Sequence, residues 1–146
     1  MALKFSTALR NGLLATGALR TLLNGGEIRI WSGPVPATSN DAVSVSNTLL
    51  VTIKAEGAGL TFEATANDGT ITKNLAEIWT GVCGASGTAT FYRHVLSADA
   101  NDASTSAVRI QGEVALSGKD LSLSSTTLTA GAVQKIDFYS ISMLEQ

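Results

Sequence analysis

Hydrophobic and polar residues follow two different rhythms along this chain. Between Ser6 and Leu23 the apolar positions are Leu9, Leu13, Leu14, Ala18, Leu19, Leu22 and Leu23, the three-and-four spacing that lines one side of a helix. Ser6 stands where an N-cap hydroxyl belongs. Gly12 and Gly17 each cost roughly 1 kcal/mol of helix propensity relative to alanine, which predicts one kinked helix or two short ones. Asn24-Gly25-Gly26 then supplies the left-handed backbone that ends a helix.

From Glu27 onward the period is two. The clearest segment is 107–116, where Val108, Ile110, Gly112, Val114 and Leu116 share one face and Arg109, Gln111 and Glu113 the other. That alternation predicts a half-buried antiparallel strand with its polar side in solvent. Further strands are expected at Ile28–Trp31, Leu49–Lys54, Leu60–Thr65, Glu77–Val82, Ala89–Leu96, Leu121–Ser125 and Ile136–Met143. In the last of these the apolar residues change face after Phe138, as a bulge or burial on both sides would require. Turn chemistry separates the segments at Glu56–Gly59, Asn67-Asp68-Gly69, Gly84–Gly87 and Ser117–Asp120.

About eight strands with no helical pattern after residue 26 predict an all-β fold, with a jelly-roll-like antiparallel β-sandwich as the best-fitting variety. Residues 1–26 form an N-terminal helical arm and 27–146 the sandwich body, together one domain. Two segments, 32–47 with Pro34 and Pro36 and 97–106, are long for loops in a compact domain. The first suits an extended strap lying on another surface.

Composition narrows the chemistry. The chain has 146 residues, of which 15% are charged, and Ser and Thr together number 32, as exposed strand surfaces accept. One His and one Cys cannot build a Cys/His zinc cluster or a disulfide framework, so no metal or cofactor is expected, and Cys83 reads as a small buried hydrophobe. Residues 1–36 carry a balance of +3 and the remainder −5, for a total of −2. Four dispersed bases are too few for a nucleic-acid footprint; a basic arm docking onto an acidic protein neighbour, or a plain solvated face, fits them better. No apolar run reaches the length of a membrane span and no secretory pattern opens the chain, so the expectation is a protein made in the cytosol that stays soluble there or leaves by a route that needs no signal, with no membrane partner.

Candidate catalytic groups are few. A nucleophilic triad would have to use His94, which follows Tyr92 at strand spacing with no nucleophile elbow beside it, and reads as a packed or surface histidine. Asp99 and Asp102 suggest a solvated turn more than a calcium loop, whose oxygen ligands are spaced more closely. Glu56 and Glu63 flank a glycine-rich turn, but nothing else points to a glycosidase, and Gly57 and Gly59 lack the Lys-Ser/Thr ending of a phosphate loop. Among the eight aromatics, Trp31, Trp79, Tyr92 and Tyr139 lie opposite apolar neighbours on their strands. They are either buried because both sheet faces are covered, one of them by the helical arm, or outward groups for a sugar or a protein interface. Burial is the preferred reading and interface anchoring the next.

Several stretches carry a family resemblance. The opening from Met1 to Leu14 resembles the start of small virion proteins of tailed bacteriophages, and the segment Ile28–Ala37, an Ile-x-Ile-aromatic-Ser-Gly strand followed by Pro-x-Pro-Ala, is similar to their continuation. Leu60-Thr61-Phe62, Ala76–Gly81, Ser86–Ala89 before Phe91-Tyr92-Arg93, Val108–Val114 and Ser117–Leu123 extend the likeness over most of the chain. A small β domain with an N-terminal arm most resembles a capsid decoration, or cement, protein. The resemblance implies a non-enzymatic role on the outer capsid surface of the virion, the major capsid protein as partner, and self-association as a homodimer or homotrimer. No matched motif assigns a contact residue. Exposure and charge asymmetry select Phe5, Arg10, Leu13 and Arg20 in the arm, Trp31 as an aromatic anchor, and Pro34, Pro36, Val43 and Val45 in the first long loop. The alternative is a phage tail or fibre module that binds a host surface glycan through exposed aromatics and Asp99/Asp102; an esterase or glycosidase comes third.

Overall fold

The computed structural model describes residues 3–143 and Glu145. Its elements in chain order are β1 (Lys4–Phe5), α1 (Thr7–Ala15), α2 (Leu19–Leu22), β2 (Glu27–Ser32), β3 (Thr48–Ala55), β4 (Thr70–Thr72), β5 (Trp79–Val82), β6 (Gly87–Thr88), β7 (Phe91–Val95), β8 (Arg109–Ala115), β9 (Leu121–Ser122), β10 (Thr127–Leu128), β11 (Val133–Ile136) and β12 (Ser140–Ser142). The fold is all-β, as the alternation predicted. The main sheet runs β1-β8-β7-β2-β3-β5-β11 with antiparallel neighbours, while β9 joins β8 in parallel; β10-β6 and β12-β4 form two small antiparallel sheets. This order does not single out the jelly-roll variety.

The helical segment is two short helices separated at Thr16–Ala18. Ser6 caps α1, its Oγ accepting from Leu9 N at 3.2 Å and from Arg109 N at 3.0 Å, so one hydroxyl serves both the helix and strand β8. Gly12 does not break the helix. A Cβ there would lie 2.8 Å from Leu22 Cδ1, so the missing side chain is what lets α2 pack on α1. Gly25, at φ +78°, turns the chain into β2. Leu9, Leu19 and Leu23 join the same hydrophobic core as Ile28, Ile30, Ile53, Tyr92 and Ile110. At roughly 25 cal/mol per Å² of apolar area removed from water, such packing outweighs the weak intrinsic propensity of helices this short.

Two strand expectations need correction. Leu60–Thr65 is not a strand: its residues make only single bridges, Gly26 with Leu60 and Phe62 with Lys73, because the segment crosses between different neighbours. The expected strand Ile136–Met143 is the end of β11, an irregular stretch 137–139, and β12. The change of face after Phe138 marks that break, leaving Phe138 exposed and Tyr139 buried. The short strands β1, β4, β6 and β10, two or three residues each, fall below the length at which alternation is readable in sequence.

Both faces of the sheet β8-β7-β2 are covered. One packs Ile28, Ile30, Tyr92, His94, Ile110 and Val114 into the core with Phe62, Trp79 and Tyr139. The opposite face is roofed by the loops 33–47 and 96–108, not by the helical arm. The loops also hold each other, through Val43 N to Asn101 O at 2.8 Å and Ser104 N to Asn40 O at 2.8 Å.

Candidate interaction surfaces

The roofed face corrects the expectation that Arg109 and Gln111 point to solvent. Register aligns Arg29 with Arg93, Arg93 with Gln111, and Gln111 with Lys4, a polar row across four strands; Arg109 lies one step away opposite Val95. Arg93 and Arg109 are fully buried and Arg29 nearly so. Arg109 donates to the Asp99 carboxylate at 2.6 and 2.9 Å, and to the backbone carbonyls of Asp102 and Ser39. Arg29 binds Glu27 at 2.7 Å and reaches up to Asp99 O, Asn101 Oδ1 and Ser97 O. Arg93 donates to Gln111 Oε1 and to the loop carbonyls of Thr38 and Asp41, while Gln111 Nε2 holds Pro36 O at 2.8 Å. The row of side chains thus supplies donors to loop carbonyls that would otherwise be buried without partners. Burial, with the neighbouring Arg109 charge, brings Arg93 down to about 10, so it stays charged at neutral pH. Burial alone would raise the Asp99 carboxyl, but the Arg109 hydrogen bond, the Asn101 N–H and the charges of Arg109 and Arg29 hold it below its ordinary value.

The loop chosen from its prolines as a strap therefore lies on its own sheet. Within it Pro36 and Val43 are half-buried, and Pro34 and Val45 are exposed, Val45 fully. Asn47 Nδ2 fixes the loop base by donating to Ser32 O and Pro34 O. Trp31 is buried beneath this roof, stacked on Phe91 at a centroid distance of 6.3 Å, and does not stand outward as an anchor. Phe5 is half-buried in β1, opposite Ile110. Of the two acids expected in a solvated turn, Asp99 is instead the buried partner of Arg109, while Asp102 keeps a solvent-exposed side chain that reaches Arg109 at 3.3 Å. Sequence spacing placed these acids in a loop but carried no sign of the cation beneath them.

His94 lies on the core face, wholly buried among Phe62, Trp79 and Tyr139, with ring centroids 5.6–6.3 Å away. Neither ring nitrogen has a hydrogen-bond partner. Desolvation pushes its pKa down to about 3, keeping the imidazole neutral. This is the packed histidine, and the enclosure gives it no nucleophile to activate. Trp79, Tyr92 and Tyr139 are buried with it, as the preferred reading of the aromatics held. The Tyr92 hydroxyl donates to that of Tyr139 at 3.3 Å. Glu63 accepts from Leu75 N at 2.7 Å and caps a turn. Among the described residues no three His, Cys, Asp or Glu side chains cluster as metal ligands, and no helix is long and apolar enough to cross a membrane.

Two of the residues selected from the arm do meet. Leu13 and Arg20 line an apolar groove of about 480 Å³ between the two helices and the β4-β12 sheet, with Leu19, Ile71, Ile141 and Met143 as its other main walls. Arg20 is exposed at its edge, whereas Arg10 and Leu14, also exposed on α1, do not line the groove. Sequence spacing marked Leu13 and Arg20; the wall opposite comes from strands too short to read. The chain matches no known protein family, curated protein or solved structure with which it was compared.

Proposed function

We propose that this chain is a non-enzymatic structural protein of a tailed-phage virion, a decoration (cement) protein. It binds the outer capsid surface and reinforces contacts between major capsid protein subunits. The sequence resemblance supplies the class, and the single observation that carries the docking site is the apolar groove beside α1 and α2, rimmed by Arg20. A shell segment with apolar side chains and an acidic flank matches that chemistry, since apolar burial supplies affinity and charge supplies orientation and encounter rate. Self-association into a dimer or trimer would multiply modest contacts on the lattice. The protein is made in the host cytoplasm and acts on the particle, with neither nucleic acid nor membrane as partner.

Cosedimentation of purified protein with shells stripped of it tests the reading. Wild-type protein is expected to pellet with shells and raise their resistance to heat, whereas Arg20→Glu, an exposed reversal, binds at least tenfold more weakly. Virions that lack the protein yet withstand heat and low salt unchanged, but fail to adsorb to cells, would instead support the tail or fibre alternative.

A further inference from the structure

Of the eight aromatic side chains, seven are buried or half-buried, and only Phe138 is exposed, at 72%. An isolated exposed apolar residue needs no explanation, but this one sits on the rim of a groove. The groove, about 400 Å³, runs between the segment 119–124 and the segment 135–140, and shares no lining residue with the helix-flanked one. Its size falls within the range of small-molecule sites, roughly 300–1,000 Å³.

The polar lining has a particular composition. Each wall carries one lysine and one aspartate, Lys119 and Asp120 on the first and Lys135 and Asp137 on the second, so the charges of the lining balance. Lys119 is paired with Glu113 at 2.7 Å, and Asp120 accepts from Glu113 N at 2.9 Å. Ser122, Ser124 and Ser140 add three hydroxyls, each able to donate and to accept. Among the described residues, the side chains of these serines, of Lys135 and of Asp137 make no hydrogen bond within the chain. Leu121, Leu123 and Tyr139 form a buried floor that fixes the two walls.

We infer that this groove binds a neutral saccharide, with the apolar face of one pyranose ring on Phe138 and its hydroxyls on Asp137 and the serines. A pyranose presents a C–H face beside a rim of hydroxyls that both donate and accept, which demands one exposed ring next to mixed donors and acceptors. An anionic ligand would need an excess of cations, and a cation an excess of carboxylates; the lining offers neither. The tyrosines and tryptophans that sequence reading offered for stacking are all buried, and the glycan acids named there are bound by Arg109, so this site uses none of them.

An amide-resolved NMR titration with neutral oligosaccharides built from glucose, galactose, mannose or N-acetylglucosamine, and with a glucuronate-containing disaccharide, tests the inference. A neutral sugar is expected to give saturable shifts confined to residues 119–124 and 135–140. Phe138→Ala should weaken that binding at least tenfold with the remaining amide spectrum unchanged, and Phe138→Tyr should retain it. The inference is overturned if no neutral sugar shifts these amides, if only the acidic sugar does, or if Phe138→Ala binds as tightly as the wild type.

Discussion

The two faces of the strands β2, β7 and β8 are buried by opposite means. On the core face Ile28, Ile30, Tyr92, His94, Ile110 and Val114 are packed by other apolar and aromatic groups, and the one imidazole among them is left without a hydrogen bond. On the roofed face Arg29, Arg93, Arg109 and Gln111 are buried almost as deeply, but under loop backbone whose carbonyls they satisfy. Apolar packing tolerates substitution in proportion to volume. A buried ion cluster is all-or-none, since removing one member leaves its partner charged and desolvated. The comparison also shows why two loops too long for a small domain can be ordered: guanidinium groups with several donors each replace the hydrogen bonds that a strand would have provided.

The largest effect is expected on the roofed face. Arg109→Met leaves Asp99 buried without its cation and should cost about 3–5 kcal/mol in urea unfolding. Adding Asp99→Asn should recover at least ~1 kcal/mol, because the stranded charge is removed. If the double variant is no more stable than the single one, the ion pair is not what holds the loops down.

On the core face the lever is pH. The folded pKa of His94 lies near 3 and its ordinary value is 6.5. Between those values the unfolded chain binds a proton that the folded chain does not, so stability rises with pH across the window and is lost as pH falls below 6.5. The slope approaches about 1.4 kcal/mol per pH unit, so unfolding free energy should drop by roughly 2–3 kcal/mol from pH 7 to pH 4.5. Tyr139 beside it is pushed upward by burial and stays neutral throughout. Asp99, held below its ordinary 3.8, contributes stability that is present above that value and is lost only as pH falls through its lower folded pKa. The roofed face therefore keeps its ion pair while the core face weakens. His94→Leu should flatten the dependence measured by denaturant midpoints; an unchanged slope would assign the acid sensitivity elsewhere.

The smallest effect is expected where the two coverings meet. Ser6→Ala removes the acceptor shared by Leu9 N and Arg109 N and should cost ~1 kcal/mol, a helix-cap loss readable as a modest fall in Tm.

Much of the core face was legible in advance. The alternation at 107–116 put Ile110 and Val114 inside, Gly112 among them makes room for the Tyr92 ring (a Cβ would lie 2.6 Å from Tyr92 Cε1), and Ser6 was readable as a cap. The same alternation misassigned Arg109 and Gln111, because period two reports which residues share a face and not what lies over it. Trp31 was misplaced as an anchor for that reason. Of the proposed docking groove, Leu13 and Arg20 were legible from helical spacing and charge. Ile71 and Ile141 were not, since β4 and β12 are three residues each and pair across about seventy positions of sequence.

By itself the sequence determined the all-β class, a helical segment ahead of the first long strand, the turns and the sidedness of each long strand, all properties set by local periodicity and backbone preference. Only the tertiary structure decided that the polar side of the sheet is interior, that Asp99 and Asp102 serve Arg109, and that Phe138 is the one exposed ring among the eight aromatics. Those outcomes depend on which distant segment supplies the partner, and a hydrogen-bonding side chain carries no mark in the sequence of whether that partner is water or a loop carbonyl.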